Sequence, residues 1–207
     1  MSGWSLHDGL AVGLPVENID TDQLIPARFM SAPRSEGYGR FLLHDLRGPP
    51  DFPLDVPEAA GASILVAGRN FGTGSSREAA VYALVDAGFR VVIAPSFGDI
   101  FAANAVNNGL LPARADPAGL WPVLPARLHV DLAAQTITGP GAPLRFDIDP
   151  VWRAKILNGW DDIDLTARHH DAIRAFAAAR RAAAPWVWPA AATVQTGTNP
   201  TTRESKR

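Results

Sequence analysis

Apolar residues form short runs that alternate with stretches of helical spacing. Leu10–Val16, Ser63–Ala67 and Val91–Ala94 are the runs that predict strands, the last two of them buried. Apolar residues recur at helical spacing between Ser76 and Ala87, and a second helix is predicted from about Asp99 to Asn107. This β-α-β-α order implies a pair of parallel strands joined by a right-handed crossover.

Toward the carboxyl end the spacing of apolar residues changes to alternation. Leu128–Leu132, Gln135–Thr138 and Leu144–Ile148 predict one β-meander, which we expect to form a second β layer around the helices. The fold class is therefore α/β, with a central parallel β-α-β-α unit and that second layer. We expect one domain over residues 1–184. Residues 185–207 turn to Pro, Thr, Gly and Asn, which predicts a disordered tail.

The turn between the second predicted strand and its helix carries two glycines and a capping pattern. Gly72 and Gly74 allow a sharp turn and a close approach of the backbone to a ligand. Ser75 and Glu78 have the S-x-x-E spacing of a capping box, which predicts that the helix begins at Ser76. Free N–H groups and the positive end of the helix dipole would then point at a group bound above the serines.

Arg77 adds a planar guanidinium that matches a carboxylate or a phosphate. Each feature alone has a structural explanation, since a serine often only caps a helix and an arginine is often solvated. Their combination favours an anion site. The turn lacks the lysine of a P-loop, the third glycine of a dinucleotide fingerprint and the G-x-S-x-G of a nucleophile elbow. A small carboxylate remains as the predicted ligand.

Composition narrows the class of protein. Hydrophobic residues make up 47% of the 207 residues and charged residues 19%, which is typical of a globular protein. A net charge of −2 gives no reason to expect a nucleic acid or a membrane surface as partner. The amino terminus lacks the pattern of a signal peptide, so we expect a cytoplasmic protein. The chain has no cysteine, which excludes disulfides and thiolate ligands, and we predict no metal site on it.

Separate blocks of sequence carry a family resemblance, namely Asn18–Pro26, Phe71–Glu78, Val91–Phe101, Asn107–Pro112 and Asn158–Thr166. In this order they resemble the small subunit of 3-isopropylmalate dehydratase, the counterpart of the swivelling C-terminal domain of aconitase. The resemblance covers roughly Leu6 to Ala179.

The resemblance implies a swivelling β/β/α domain and a hydro-lyase that interconverts 2-isopropylmalate and 3-isopropylmalate in leucine biosynthesis. It also implies activity only with a large subunit that holds a [4Fe–4S] cluster, in a heterodimer or heterotetramer, on a small dicarboxylate substrate. By position in the motif, Ser75 would be the catalytic base, Ser76 a hydrogen-bonding neighbour and Arg77 the clamp for a substrate carboxylate. Asp22 would be the carboxylate that orients a proton-transfer group.

The same resemblance assigns the variable side group of the substrate to the loop that contains Phe29, Met30 and Ser31. Relatives that handle an extra carboxylate place an arginine just after this point, whereas here Ser31 follows, so an alkyl group is expected. Arg28 and Arg34 are near enough in sequence for the loop to re-aim either one.

Two departures from the family pattern leave alternatives open. Relatives of this kind commonly have Cys where this chain has Thr73, and His where it has Ala79. The chain could therefore be the small subunit of a related hydro-lyase for citramalate or another alkyl-substituted malate. A non-catalytic module that binds carboxylates is the alternative from another class.

Overall fold

The structure, a computed structural model, describes residues 2–141 and 143–189. It contains one sheet of seven strands in the order β4-β3-β2-β1-β5-β6-β7. The strands are β1 (Leu6–Leu14), β2 (Ile64–Ala67), β3 (Val91–Ala94), β4 (Leu111–Arg114), β5 (Ala126–Asp131), β6 (Thr136–Thr138) and β7 (Leu144–Arg145).

Four of these strands are parallel and three are antiparallel. β1 to β4 pair in parallel, as the predicted crossover requires, and β5, β6 and β7 follow as an antiparallel meander. β5 pairs with β1 from Leu6 to Ala11, so the predicted second β layer is the antiparallel half of a continuous sheet. The predicted α/β class is confirmed. β1 lies earlier than predicted because Pro15, which lacks an N–H group, follows its last residue.

The helices are α1 (Thr21–Leu24), α2 (Glu78–Asp86), α3 (Asp99–Asn107), α4 (Pro150–Asn158), α5 (Asp162–Ala167) and α6 (His170–Ala183). Single turns of 3₁₀ helix lie at Ala27–Ser31, Arg34–Glu36, Gly39–Phe41, Pro57–Ala59, Trp121–Val123 and Pro185–Val187. No helix within the described ranges is long and apolar enough to cross a bilayer.

Alternation along the strands fills both faces of the sheet with apolar side chains. Leu65 and Val92 belong to the cluster that packs against α2, whereas Ile64 and Val91 belong to the cluster on the other face. All residues of β2 and β3 are buried, which explains why these strands read as unbroken apolar runs.

The chain divides into two compact units, residues 1–165 and 166–207. The second unit contains α6 and the 3₁₀ turn Pro185–Val187. The single domain over residues 1–184 and the disordered tail stay predictions, and residues 190–207 of that tail lie outside the described residues.

A buried lysine joins two of the sequence blocks in the first unit. Lys155 in α4 is 3% exposed, and its ammonium donates hydrogen bonds to Asn107 at the end of α3 and to Asp162 at the start of α5. The hydrogen bond from Lys155 is the main cause of the lowered pKa of Asp162. Asn107 and Asp162 thus hold a buried charge, which gives both blocks a structural role in the described part of the chain.

Candidate active site at the carboxyl edge of the sheet

Loops from three parallel strands meet where those strands end. The N–H of Gly72, after β2, donates to the carbonyl oxygen of Ile19, after β1, at 2.7 Å. The N–H of Phe71 donates to Ser96 O, after β3, at 3.0 Å, and Phe71 O accepts from Gly98 N–H at 2.9 Å. In open α/β sheets this carboxyl edge is the usual place for a ligand.

The predicted need for glycine in the turn is confirmed at both positions. Gly72 has φ +74° and Gly74 has φ +90°, values that other residues rarely adopt. At Gly72 a Cβ atom would also lie 2.1 Å from the ring of Phe101, so the position excludes any side chain. At Gly74 the nearest neighbour of a Cβ atom would be 3.4 Å away.

Thr21 joins the Asn18–Pro26 block to the turn. Its N–H donates to Thr73 O at 2.9 Å, and its hydroxyl donates to Ser75 O at 2.9 Å. Thr21 is 2% exposed, so these bonds are shielded from water. Sequence reasoning did not assign Thr21 a role, although its place between two aspartates in a recognised block was a signal for one.

Asp22 and Arg77, which are 55 residues apart in sequence, form an ion pair. Asp20 caps α1 by accepting from the N–H of Gln23 at 2.7 Å, and the Gln23 side chain accepts from the N–H of Asp20 at 2.9 Å. This capping box fixes the short helix and with it the place of Asp22. The structure therefore brings together two residues that the family resemblance assigned to the site.

The capping box predicted for Ser75 and Glu78 is wrong. α2 begins at Glu78, and Arg77 occupies the cap position in an extended conformation without a side-chain cap. The Glu78 carboxylate accepts instead from Asn108 Nδ2 at 2.9 Å. The bond from Thr21 to Ser75 O and the positive φ of Gly74 hold Ser75 outside the helix. The first N–H groups of α2 consequently lack a side-chain cap from their own cap residue.

Ser75 and Ser76 face solvent. Both residues are exposed, and neither hydroxyl makes a hydrogen bond to another described residue. The side chain of Arg77 is 20% exposed and that of Asp22 53%. The residues at the site thus form an open edge, where a second molecule can reach both hydroxyls and the guanidinium.

The loop with the predicted substrate-binding residues follows α1 directly. Phe29 stacks on Phe41 with ring centroids 4.3 Å apart and an interplanar angle of 9°. Ser31 Oγ donates to Arg28 O at 3.0 Å within the loop. Met30 is 36% exposed. Phe29 and Ser31 therefore shape the loop, while Met30 offers an apolar side chain to solvent.

Carboxylates of the chain itself hold the two arginines of this loop. Arg28 pairs with both carboxylate oxygens of Asp45. The hydrogen bond from Arg28, with a second from His44, lowers the pKa of Asp45 to about 2, so this carboxylate stays charged at neutral pH. Arg34 donates to both oxygens of Asp86, at 2.7 and 3.0 Å. Sequence spacing gave no signal for either pair.

The residues available for metal binding are few. Within residues 2–141 and 143–189 there is no group of three or more His, Cys, Asp or Glu residues that could hold a metal ion. The chain also has no cysteine for the thiolates that an iron–sulfur cluster requires. The side chains present do not fit such a cluster.

Three family models match successive parts of the chain. A family model described as the aconitase C-terminal domain matches residues 6–118. One described as LeuD_N matches residues 125–150, and one described as the C-terminal domain of the 3-isopropylmalate dehydratase small subunit matches residues 162–190. The fold is that of the aconitase C-terminal domain class.

Individual relatives identify the family more narrowly than the family models do. Proteins named 3-isopropylmalate dehydratase small subunit from Shouchella clausii and Acidothermus cellulolyticus are both 47% identical, over 81% and 89% of this chain and 91% and 98% of their own. A crystal structure of 3-isopropylmalate dehydratase from Methanocaldococcus jannaschii has a TM-score of 0.64 and 26% identity, over 82% of this chain and 98% of that one. The chain belongs to the family of 3-isopropylmalate dehydratase small subunits.

We expect Gly72→Ala to be far more damaging than Gly74→Ala. Both residues have positive φ, which costs a side chain roughly 1–2 kcal/mol. Gly72→Ala must also displace the Phe101 ring, which adds about 1–3 kcal/mol for overpacking. Urea unfolding of the two variants measures the difference. Equal free energies of unfolding would contradict the close packing described at Gly72.

Proposed function

We propose that this chain is the small subunit of a 3-isopropylmalate dehydratase, which interconverts 2-isopropylmalate and 3-isopropylmalate in leucine biosynthesis. The observation that carries the proposal is the edge formed by Ser75, Arg77 and Asp22, in a chain 42–47% identical to relatives of that name. We place the enzyme in the cytoplasm. The reaction removes a hydroxyl group and a proton from neighbouring carbons and then adds them back with their positions exchanged.

In this proposal Arg77 binds a substrate carboxylate. Its guanidinium is preorganised by Asp22 and lies at the amino end of α2, where the helix dipole favours negative charge. A dicarboxylate approaching from solvent would bind the guanidinium beside Asp22 or in its place. Asp22 therefore keeps Arg77 oriented before the substrate binds, and Ser76 adds an exposed hydroxyl beside it.

Ser75 is the proposed base, and its hydroxyl must lose a proton to act. A helix terminus contributes up to about 2 kcal/mol, or roughly 1.5 pKa units, which is too little for an alcohol near neutral pH. Arg77 and cationic groups of a partner, in a site closed to water, have to supply the rest. Because Ser75 is exposed in the described chain, we infer that the partner provides that closure.

The partner we propose is a large subunit with a bound [4Fe–4S] cluster, in a heterodimer or heterotetramer. Such a cluster would supply Lewis-acid chemistry at the substrate hydroxyl. This chain contributes the other half of the chemistry, namely a proton acceptor at Ser75 and a carboxylate clamp at Arg77.

The paired arginines support an uncharged side group on the substrate. Arg28 and Arg34 flank Phe29, Met30 and Ser31 in sequence, and each is paired with a carboxylate of the chain. Each arginine donates to both oxygens of its aspartate, whereas Arg77 donates to one oxygen of Asp22. A third substrate carboxylate near this loop would therefore have to break a two-point pair or stay unpaired, which would be costly. An alkyl group on the exposed Met30 would be accommodated without that cost.

Reconstitution tests the function directly. We expect the chain alone to be inactive, and the chain mixed with a cluster-bearing large subunit to turn over isopropylmalate faster than citramalate or homoaconitate. Turnover by the isolated chain would contradict a site divided between two subunits. A preference for citramalate would instead favour a related hydro-lyase, in line with the departures at Thr73 and Ala79.

Arg77 variants test the carboxylate clamp in the reconstituted pair. Arg77→Gln removes charge-assisted hydrogen bonds worth about 1.5–3 kcal/mol each, so we expect kcat/KM to fall roughly 10²-fold. Arg77→Lys keeps the charge but loses the planar fork, and should lower kcat/KM by a smaller factor.

Arg69→Gln is the matched control, because Arg69 is an exposed arginine of the same edge that pairs with Glu17 at 2.7 Å. We expect nearly unchanged kinetics. If Arg77→Gln also leaves turnover unchanged, the edge serves a non-catalytic role in binding carboxylates.

Releasing Arg28 tests the basis of substrate choice. Asp45→Asn removes the carboxylate that neutralises Arg28, so we expect the ratio of kcat/KM for homoaconitate to that for isopropylmalate to rise several-fold. Asp55→Asn is the control, since it breaks a similar surface pair with Arg47. An equal change in both variants would show that Arg28 does not face the substrate.

A further inference from the structure

A second concave region lies on the outer side of the edge strand β4. It encloses about 520 Å³, in the range of small-molecule sites. It is separate from the turn that carries Ser75. The residues that line it include Phe97, Ala102, Pro112, Arg114, Asp147 and Trp152.

Two opposite charges, Arg114 and Asp147, line this cavity as neighbours without pairing. Asp147 N–H donates to Arg114 O at 2.8 Å and Arg114 N–H donates to Asp147 O at 3.2 Å, which makes them directly opposed residues of an antiparallel bridge. In such a pair the Cα atoms are about 5.5 Å apart and the side chains lie on one face. An arginine and an aspartate so placed are close enough to form an ion pair. Neither side chain has an ion pair or a hydrogen bond with any other described residue.

The other carboxylate at the cavity is already engaged. Asp149 Oδ1 accepts from the N–H groups of Val151 at 2.8 Å and Trp152 at 3.2 Å, and so caps α4. The cavity thus offers one unengaged guanidinium and one unengaged carboxylate. Its remaining wall is apolar and aromatic, from Phe97 and Trp152.

We propose that this cavity binds a small zwitterion, namely a free α-amino acid with an apolar side chain. Arg114 binds the α-carboxylate, Asp147 binds the α-ammonium, and the side chain packs against Phe97 and Trp152. Both residues are exposed, so a ligand with a single charge would engage one of them and leave the other to solvent. A zwitterion satisfies both. This site goes beyond the proposed dehydratase function and needs no large subunit.

The site also has a structural connection to the catalytic edge. Phe97 forms a backbone bridge with Phe71, which directly precedes Gly72, and its ring stacks on Phe101 at 6.3 Å. An amino acid packed on Phe97 would therefore contact a residue that supports the Gly72 turn.

Titration of the full chain with three matched probes tests the proposal. L-leucine carries both charges, 4-methylpentanoate lacks the ammonium and 3-methylbutylammonium lacks the carboxylate, with the same branched alkyl group. We expect leucine to bind saturably and raise Tm. Each probe with one charge should bind at least about tenfold more weakly, because it loses a charge-assisted contact.

Variants of the lining residues test whether leucine binds in this cavity. We expect Arg114→Gln to weaken leucine and 4-methylpentanoate, and Asp147→Asn to weaken leucine and 3-methylbutylammonium, each at least about tenfold. Each variant should change the other single-charge probe little. Ala102→Leu should block all three probes by filling the cavity. Arg127→Gln, an exposed arginine of β5 outside the cavity, is the control for charge.

Circular dichroism of each variant separates lost binding from lost folding. Equal affinity for all three probes, unchanged leucine binding in Arg114→Gln, or no saturable binding by the wild-type chain at millimolar leucine would each overturn the proposal. Because binding is measured on this chain alone, failure of the dehydratase assay would not affect the result.

Discussion

Hydrogen bonds between the segment after β1 and the turn after β2 hold the candidate site in place. Thr21 contributes two of these bonds and Gly72 a third, all between backbone or buried groups. Without them Asp22 would lie on one loop and Arg77 on another, with no fixed distance between the two. The chemistry proposed here therefore depends on a main-chain arrangement that permits no side chain at Gly72. The serines gain their exposure from the same arrangement, since it keeps Ser75 out of α2.

Arginine–aspartate pairs recur on this surface, but their surroundings differ. Arg28 and Asp45 are 55% and 49% exposed in their side chains, so solvent and salt screen their attraction and the pair adds little to stability. Arg77 is 20% exposed, and its pair with Asp22 is less screened. The exposed pair near Phe29 acts mainly by neutralising a charge, whereas the pair at the turn orients a guanidinium. Arg114 and Asp147 differ from these pairs, because they are neighbours across a backbone bridge and their side chains do not pair.

Local pattern was sufficient for the elements, while contacts distant in sequence required coordinates. Unbroken apolar runs predicted β2 and β3, and helical spacing predicted α3 over Asp99–Asn107, because burial on both faces of a sheet and on one face of a helix leaves a direct record in sequence. The start of α2 was wrong by two residues, since a bond from Thr21, more than fifty residues earlier, outweighed the local capping signal. The meeting of Asp22 with Arg77 was predicted only through family resemblance. The neutralising aspartates of the loop had no signal at all, because an exposed carboxylate is common wherever a chain meets water.

The buried ammonium of Lys155 has a practical consequence. The sequence contains only one other lysine, Lys206, so Lys155 is the single amine on a side chain within residues 2–141 and 143–189. At 3% exposure it is out of reach of acylating reagents until the corner between α3 and α4 opens. The rate at which an anhydride or active ester modifies this one nitrogen therefore reports how often that corner opens locally. Almost all the other cationic side chains of the protein are guanidinium groups.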